Sequence, residues 1–260
     1  MRLIFKGEFN PLNNLQLEQI KILMTKNKFK ICYLLNNDKD NFLFDISIKD
    51  YSFIYKINEA EILDEDKVIK LSKSYNISYL KGDFREYNQT TRDFIFNNNW
   101  IIEKIIKDRM SSRRFAHTLS VATTSKQIAQ ANNLDQDKAY LAGLLHDYCK
   151  ELDRDKEKEI MKKRFDSFLH LPRAIFHQFT AYYLLKENLC LTDSDILDAV
   201  GNHVAGTSYK PYAMVIYIAD KIEPLRKYDV EYETKLYKKN LKACFEVVKA
   251  KQAKYLEENK

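Results

Sequence analysis

The heptapeptide Leu-Ala-Gly-Leu-Leu-His-Asp, residues 141–147, ends an apolar run on a histidine and an aspartate. Apolar residues at positions 141, 144, 145 and 148 recur at the spacing of one helix face, and the pattern predicts a helix from Ala139 to Leu152. Neighbouring helical residues point about 100° apart, so His146 and Asp147 can both flank one ion beside the helix. Because imidazole and carboxylate groups are common metal ligands, this segment is a candidate for metal binding.

The other histidines lie close to this segment in the chain. All five fall between residues 117 and 203, with His117 in Arg-Phe-Ala-His-Thr-Leu upstream. Downstream, Asp220 interrupts the apolar segment Ile-Tyr-Ile-Ala-Asp-Lys, and a buried carboxylate is costly unless it is paired or bound to metal. A single histidine on an apolar face is more often a hydrogen-bonded core residue, and His-Asp dipeptides also occur by chance. Together, His117, His146, Asp147 and Asp220 form the ordered set that a helical metal-dependent phosphohydrolase needs.

Helical periodicity continues through the C-terminal part of the chain. The asparagines at 97–99 can cap one helix, and Ser111 or Ser112 is expected to cap the helix that carries His117. Because neither a strand pattern nor an internal repeat is present, residues 97–260 are expected to form an all-α bundle of about six helices. Its later helices are expected over residues 173–187, 194–203, 211–223 and 233–257.

Residues 1–96 alternate between strand and helix patterns. Strands that alternate with helices are typical of a parallel sheet, so a small α/β domain is expected here. The segment Asp64–Tyr75 is expected to form a helix capped by Asp64. Strands are expected at residues 2–5, 30–35 and 77–80, with one or two more within 41–57 and a helix at 15–24.

The composition limits the class of protein. Hydrophobic residues make up 45% and charged residues 31% of the 260 residues, as in ordinary soluble globular proteins. Five glycines and four prolines are few, which favours helices over long loops. The net charge of +6 suits an anionic substrate and equally suits a well-solvated surface. No basic stripe interleaved with aromatic residues stands out, so a nucleic-acid partner is not expected.

Cysteine usage and the lack of long apolar runs indicate the compartment. The four cysteines are scattered, without the paired spacing of a disulfide framework or a thiolate zinc site. No run approaches the ~18–20 apolar residues of a membrane span, and the first residues lack a signal-peptide core. We therefore expect a reduced, cytoplasmic protein without a membrane partner. Nothing in the sequence sets an oligomeric state.

The order of His117, the His146-Asp147 pair and Asp220 is similar to the H…HD…D signature of the HD-domain metal-dependent phosphohydrolases. Longer blocks, between residues 100 and 250, resemble the YqeK-type symmetrical dinucleoside-tetraphosphatases. These blocks are Arg-Phe-Ala-His at 114–117, Leu-Leu-His-Asp-Tyr-Cys-Lys-Glu-Leu at 144–152, Phe-His-Gln-Phe-Thr-Ala at 176–181, Asn-His-Val-Ala-Gly at 202–206 and Ala-Asp-Lys-Ile-Glu-Pro-Leu-Arg at 219–226.

This resemblance implies a centre of two metal ions. It implies that Asp147 bridges the ions and that His177 and His203 bind the second of them, while His170 has no counterpart in the motifs. The ions would be divalent or trivalent transition metals, with iron favoured and manganese, cobalt, nickel or zinc also suited to these donors. A bridging hydroxide would attack phosphorus in line and split diadenosine tetraphosphate into two ADP. The implied ligands of the first ion are His117, His146, Asp147 and Asp220.

Charged residues near these motifs are candidates for holding a nucleotide polyphosphate. Arginine can bind phosphate through two N–H groups, and lysine acts as a point charge. For each of them, a solvated surface charge is the alternative. Glu223 is expected to orient a ligand or Arg226, and Gly206 to allow close approach of the backbone. We expect catalytic roles for Asp147, Lys150 and Arg226, and substrate contacts for Arg114, Lys150, Gly206, Lys221, Glu223 and Arg226.

The segment Gly-Glu-Phe-Asn-Pro-Leu-Asn-Asn-Leu-Gln, residues 7–16, resembles the nucleotide-binding loop of the nicotinate-nucleotide adenylyltransferases. Asn13 and Gln16 stand at the two histidine positions of the family's G-G-T-F-D-P-x-H-x-G-H pattern. Neutral amides cannot supply the cationic donors that stabilise a leaving pyrophosphate. We therefore expect residues 1–96 to form a degenerate, truncated nucleotidyltransferase-like domain without activity. Further departures from the pattern are Lys6, Glu8 and Leu15.

Two other functions stay open on the sequence. HD phosphohydrolases that act on nucleoside mono- or triphosphates share the same metal chemistry, so the motifs do not separate those substrates. A metal-loaded regulatory module is the non-enzymatic alternative. The complete ligand set, together with Lys150 and Arg226, argues against such a module because regulatory decay removes ligands first.

Overall fold

Four parallel strands form the sheet in the N-terminal part of the chain. The computed structural model describes residues 1–9, 11–37, 42–71, 82–227 and 229–258. The strands are β1 (Leu3–Gly7), β2 (Cys32–Asn36), β3 (Ile54–Lys56) and β4 (Lys67–Lys70), in the order β3-β2-β1-β4. Phe5 in the central strand β1 lies opposite Leu34 of β2 and Ile69 of β4. The parallel sheet predicted from the alternating pattern is therefore confirmed.

Helices pack beside this sheet around an apolar core. They are α1 (Asn14–Lys26), α2 (Phe42–Ser47) and α3 (Gln89–Phe96). Leu3, Phe5 and Ile20 are fully buried in one hydrophobic cluster with Phe44. The strands expected at residues 2–5 and 30–35 and the helix expected at 15–24 correspond to β1, β2 and α1.

Helix α2 lies within residues 41–57, where the sequence predicted one or two strands and the described residues form one, β3. Leu43 and Phe44 are consecutive residues and both are fully buried. Successive residues of a strand point to opposite faces, so a half-exposed strand cannot bury both, whereas a short helix can. Within residues 41–57, only Ile54–Lys56 is a strand in the described part of the chain.

Strand β4 replaces the helix that was predicted from Asp64. Val68 and Ile69 are β-branched, which favours a strand at the edge of the sheet beside β1. Asp66 accepts a hydrogen bond from the backbone N–H of Arg2 at 2.9 Å and forms an ion pair with its guanidinium group. These contacts depend on the distant N-terminal strand, so local helix propensity could not reveal them. The strand predicted at 77–80 falls outside the described residues.

The chain forms two compact units, Met1–Ile101 and Ile102–Lys260. The division falls within helix α4, and the unit that follows it is helical, as the sequence predicted. Its helices outnumber the expected six because residues 238–240 divide the segment predicted at 233–257, and because Arg154–Arg164 forms a helix that was not predicted. No helix in the described ranges is long and apolar enough to cross a membrane. The helices are α4 (Asn99–Lys107), α5 (Ser112–Ala131), α6 (Gln136–Leu145), α7 (Arg154–Arg164), α8 (Phe176–Glu187), α9 (Ser194–Asn202), α10 (Pro211–Ile222), α11 (Glu231–Tyr237) and α12 (Leu241–Glu258).

Helix α6 ends earlier than its apolar periodicity suggests. Its last residue is Leu145, and His146 is the C-cap. Beyond it, the N–H of Tyr148 donates to the carbonyl of Leu145 at 3.1 Å and the N–H of Lys150 donates to the carbonyl of Asp147 at 2.9 Å. These bonds span three residues, as in a tightened last turn. The predicted extension of this helix to Leu152 is therefore wrong.

A glycine sets the distance between α5 and α6. A Cβ atom on Gly143 would lie 2.6 Å from the Cα atom of Ala122 and 3.0 Å from its backbone nitrogen. Only glycine fits against the α5 backbone at this distance. This close approach positions the helix that carries His117 beside the end of the helix that carries His146.

Candidate metal centre

Five helices bring the six predicted ligands together. Five of the side chains are buried, and His117 is partly buried. The order in the chain is that of the sequence motifs, but in space the groups surround one carboxylate, that of Asp147. The side chains are His117 on α5, His146 and Asp147 at the end of α6, His177 on α8, His203 at the C-cap of α9 and Asp220 in the last turn of α10.

One cluster forms around the Oδ2 atom of Asp147. The Nε2 atom of His146 lies 3.5 Å from this oxygen, and the Nε2 atom of His117 lies 3.8 Å from it. Asp220 completes the group, with its Oδ1 atom 3.2 Å from His117 Nε2 and 4.0 Å from His146 Nε2. The two imidazoles and the Asp147 carboxylate lie close enough together to hold one ion, and the Asp220 carboxylate lies beside them.

A second cluster forms around the other oxygen of Asp147. Its Oδ1 atom lies 3.3 Å from His177 Nε2 and 3.6 Å from His203 Nε2. The two Nε2 atoms are 3.1 Å apart. Each oxygen of Asp147 therefore faces a different pair of histidines, which is the geometry a bridging carboxylate requires.

Hydrogen bonds fix the orientation of three of the rings. Nδ1 of His146 lies 2.6 Å from the carbonyl oxygen of Gly143, and Nδ1 of His203 lies 2.7 Å from that of Val200. A carbonyl can only accept, so each Nδ1 carries the proton and donates it. In His117, Nδ1 lies 3.1 Å from the Oε1 atom of Glu223. Each ring thus directs Nε2 towards the carboxylates, as in metal-bound histidines whose other nitrogen is held by a neighbour.

Burial sets the charge of the site. It lowers the pKa of His146 to about 4 and also lowers the pKa values of His177 and His203. These rings are neutral at pH 7, the form that binds metal. Burial acts to raise the pKa values of Asp147 and Asp220, but the histidines around Asp147, and Lys221 with His117 beside Asp220, outweigh it and hold both pKa values well below the usual range. The centre therefore offers neutral imidazoles and ionised carboxylates.

Two buried nitrogens show that the site fits a cation. Nε2 of His117 and Nε2 of His146 are buried, and within the described residues neither has a hydrogen-bond partner. A buried polar atom without a partner is unfavourable. Burial opposes a charge on His117, but Asp220 and Glu223 outweigh this effect and raise its pKa. The carboxylates thus attract positive charge where the free nitrogens point, and this donor set suits transition-metal ions.

Cationic side chains surround the two carboxylates. Arg114 Nη1 lies 2.8 Å from Asp147 Oδ2, and Arg226 Nη2 lies 2.8 Å from Asp220 Oδ1. The Nζ atom of Lys221 lies 2.9 Å from Asp220 Oδ2. Three cationic side chains thus lie in direct contact with the two carboxylates.

A further cation stands beside the second cluster. The Nζ atom of Lys150 lies 3.4 Å from His177 Nε2. Its backbone follows the tightened turn after His146, which explains how a lysine three residues after Asp147 reaches the opposite histidine. The structure thus brings Lys150 to the centre, as the sequence predicted.

A large polar cavity opens beside the first cluster. Its volume is about 680 Å³, within the range of small-molecule sites. Its wall contains three arginines, one ligand candidate and the exposed side chain of Leu225. This is the space in which an anionic substrate can reach the centre. The lining residues are Ser111, Arg113, Arg114, His117, Glu151, Glu223, Leu225 and Arg226.

Gly206 has a different environment from the one expected. Its φ is +61°, and a Cβ atom would lie 2.6 Å from the ring of Tyr217. Its carbonyl accepts a hydrogen bond from Lys249 at 2.8 Å. The structure accounts for this glycine through backbone conformation and packing, and its predicted contact with substrate stays a prediction. His170 is exposed, consistent with a surface position.

Sequence reasoning missed two residues at the centre. Arg113 lines the large cavity beside Arg114 but belongs to no recognised motif position. Gln178 is buried, and its Oε1 atom accepts hydrogen bonds from the N–H groups of Val204 and Ala205 at 3.2 and 3.1 Å. It ties the turn after His203 to the helix that carries His177. A buried amide next to a ligand histidine was the available signal.

The helical fold and the paired histidine clusters define the class of a metal-dependent hydrolase, and comparison with known proteins agrees. The HD domain model matches residues 114–225. A crystal structure of an HD superfamily hydrolase from Clostridium acetobutylicum, described as involved in NAD metabolism, has a TM-score of 0.54 and 26% identity. The similarity covers 62% of this chain and 88% of that structure.

Two similar proteins with named activities indicate which group of HD-domain hydrolases this chain belongs to. The symmetrical bis(5'-nucleosyl)-tetraphosphatase of Bacillus subtilis is 32% identical over 127 residues, covering 47% of this chain and 68% of the relative. The probable nicotinate-nucleotide adenylyltransferase/Ap4A hydrolase of Mycoplasma genitalium is 26% identical over 256 residues, covering 85% of this chain and 72% of the relative. The chain therefore belongs to the HD-domain hydrolases, in the family of the symmetrical bis(5'-nucleosyl)-tetraphosphatases.

Proposed function

We propose that this chain hydrolyses dinucleoside polyphosphates and splits diadenosine tetraphosphate symmetrically into two ADP. The observation that carries the proposal is the position of Asp147, whose two oxygens each face a histidine pair. The arginine-lined cavity beside this centre gives an anionic chain access to it. The named relative from Bacillus subtilis supports the choice of a tetraphosphate substrate.

The residues of the centre fit two transition-metal ions. Iron is the favoured identity, and manganese, cobalt, nickel and zinc suit the same donors. When bound, the ions would activate a water molecule and neutralise charge on the phosphoryl oxygens. Asp147 would be shared between them. The remaining ligands would be His117, His146 and Asp220 for one ion, and His177 and His203 for the other.

Cationic side chains would hold the polyphosphate for the reaction. Arg114 and Arg226 line the cavity and can each bind phosphoryl oxygens through two N–H groups. Lys150 supplies a point charge on the side of His177. Water would attack a central phosphorus in line, break its bond to the bridging oxygen and release one ADP. The oxygen of the water stays on the second ADP, and the released protons pass to solvent.

Product analysis tests this function. The purified protein is supplied with iron, manganese or cobalt and incubated with diadenosine tetraphosphate, and the products are separated by anion exchange. We expect ADP alone. Formation of ATP plus AMP would exclude the symmetrical cut. Nucleoside mono- and triphosphates run in parallel test the broader phosphohydrolase, and a metal-loaded protein without turnover on any substrate would favour a regulatory module.

We also propose that the N-terminal unit has no adenylyltransferase activity. Asn13 and Gln16, which stand at the histidine positions of that family's loop, are buried and form a capping box for α1. Asn13 Oδ1 accepts from the N–H of Gln16 at 2.9 Å, and Gln16 Nε2 donates to the carbonyl of Glu8 at 2.8 Å. Their side chains thus bind the protein's own backbone.

The ring of Phe9 strengthens this proposal. Phe9 is fully buried and stacks on Phe44 with ring centroids 5.8 Å apart, while its Cζ atom would lie 3.0 Å from a Cβ on Gly7. The loop after β1 is therefore packed against its own glycine. Transfer of AMP from ATP to nicotinate mononucleotide by the purified protein would contradict the proposal, and we expect none.

A further inference from the structure

A second cavity is lined by Lys221 and Arg226, two cations that contact Asp220. Its volume is about 300 Å³, the lower end of the range for small-molecule sites. Apolar side chains of α10, of α12 and of Val230 just before α11 form part of its wall, and cationic, acidic and amide groups form the rest. Its lining residues are Lys221, Ile222, Arg226, Asp229, Val230, Glu233, Val248, Lys251, Gln252 and Tyr255.

The two cavities share a cation. Arg226 lines both of them, and it contacts Asp220 Oδ1 at 2.8 Å. Lys221 lines only the smaller cavity and contacts Asp220 Oδ2 at 2.9 Å. A polyphosphate at the centre that extends towards these two cations therefore reaches the mouth of the smaller cavity.

Glu233 gives this cavity a group that needs a donor. The residue is buried, with 3% of its surface exposed, and it lines the cavity. Its Oε1 atom forms an ion pair with Lys251, whereas its Oε2 atom has no hydrogen-bond partner within the described parts of the chain. A buried carboxylate oxygen without a donor is costly. An acidic side chain that accepts from a sugar hydroxyl is a recurrent way to bind nucleosides.

We propose that this smaller cavity binds one nucleoside of a dinucleoside polyphosphate, while the larger cavity holds the other half of the molecule. The inference rests on the proposed function and deepens it. Ile222 and Val248 provide apolar surface for a base, and Glu233 accepts a hydrogen bond from the nucleoside. Arg226, between the cavities, contacts the phosphates that join the two halves. Cutting at the centre then leaves one ADP on each side.

Filling the smaller cavity tests the inference. Gln252 is half-buried in its wall, so Gln252→Trp places an indole in the space. Ala253→Trp is the matched control, because the next residue is exposed and lies outside the lining. We expect Gln252→Trp to raise the KM for diadenosine tetraphosphate about tenfold or more, with kcat nearly unchanged. The control keeps the KM of the unaltered protein, and thermal unfolding confirms that both variants fold.

Titration with ADP measures the same cavity without turnover. The manganese-loaded protein should bind two ADP per chain, the Gln252→Trp variant one, and the Ala253→Trp control two. If Gln252→Trp fails to fold, the Glu233→Gln variant tests the inference instead. We expect it to weaken binding of the second ADP about tenfold, because a hydrogen bond to a charged acceptor is lost. The inference is wrong if the unaltered protein binds only one ADP. It is also wrong if neither Gln252→Trp nor Glu233→Gln weakens the binding of the second ADP. Two ADP without cleavage of diadenosine tetraphosphate would instead reject the proposed function alone.

Discussion

At the scale of single residues, Asp147 links the two histidine clusters through its separate oxygens. Asp147→Asn keeps the size of the side chain but removes its charge and one ligand oxygen. We expect turnover to fall at least about 1000-fold, or about 4 kcal/mol in transition-state free energy, together with loss of bound metal. Elemental analysis and the ADP assay measure both effects. His170→Ala, at an exposed histidine, is the control, and unchanged metal content in Asp147→Asn would contradict a bridging role.

Arg113 supports a second prediction at this scale. It is exposed and lines the large cavity, whereas its neighbour Arg114 pairs with Asp147. We therefore expect Arg113 to attract an anionic substrate without contacting the metal ligands. We expect Arg113→Ala to raise the KM for diadenosine tetraphosphate about threefold to tenfold, as one exposed phosphate contact allows, with kcat unchanged. The increase should shrink in high salt because exposed charges are screened. A fall in kcat with constant KM would assign Arg113 to the chemical step instead.

At the scale of helices, Gly143 controls the contact between α5 and α6. Gly143→Ala places a methyl group 2.6 Å from the Cα atom of Ala122. Because backbone cannot move cheaply, we expect a loss of about 1–3 kcal/mol in unfolding free energy and weaker metal binding. Urea denaturation and metal titration measure these effects.

Another glycine provides the control for this helix contact. Gly201→Ala meets only the ring of Tyr182, at 3.4 Å, and should be tolerated. The double variant Ala122→Gly with Gly143→Ala should recover none of the lost stability, because the two closest atoms are the backbone Cα and nitrogen of residue 122, which glycine keeps. Equal stability of Gly143→Ala and the unaltered protein would show that the helices can separate without cost.

The N-cap of α9 gives a pH-dependent prediction. Asp193 accepts from the N–H groups of Asp195 and Ile196, and its pKa is lowered because Lys138 and these donors outweigh burial. The folded pKa lies below the unfolded value, so its contribution to stability is present above about pH 4 and is lost as the pH falls further. We expect Asp193→Ala to lower the free energy of unfolding by about 1 kcal/mol at pH 7 and by less at pH 3. Asp193→Asn should retain most of the cap, and urea denaturation at both pH values compares the three proteins.

At the scale of the whole molecule, metal binding and folding are coupled. The ligands belong to five helices of one unit, so the unfolded chain cannot present them together. A ligand at about 100 times its dissociation constant stabilises the folded state by about 3 kcal/mol. We expect manganese to raise the unfolding free energy by this amount and a chelator to reverse the gain. Asp147→Asn should show little or no gain, and an equal gain in this variant would place the metal elsewhere.

More of the candidate site than of the fold of the first unit could be predicted from the sequence. His146, Asp147 and Asp220 are polar residues in apolar helical segments, which made them candidates, and the resemblance to the H…HD…D signature singled them out. Arg113 and Glu233 carried no such signal, because charged residues on helices are usually solvated. Their roles depend on which helices form the walls of the two cavities, and the linear pattern does not contain that information.

The errors in the first unit have a common physical cause. Lys67–Lys70 became a strand through pairing with β1, and Phe42–Ser47 became a helix because Leu43 and Phe44 both enter the core. Both outcomes depend on contacts between distant residues. Local propensity predicts what an isolated segment prefers, and tertiary contacts changed that preference at these positions.

The contacts of Gln178 bear on how the candidate metal centre would lose its ions during local unfolding. Its amide oxygen accepts from the turn after His203 and so joins that turn to the helix of His177, and we therefore expect these two imidazoles to move together. Asp147 then joins that pair to the rings on the other side. Local opening of a single helix therefore loosens every donor at once, and an ion would leave in one cooperative event. The rate at which a chelator captures metal should then equal the opening rate that amide hydrogen exchange reports for these helices.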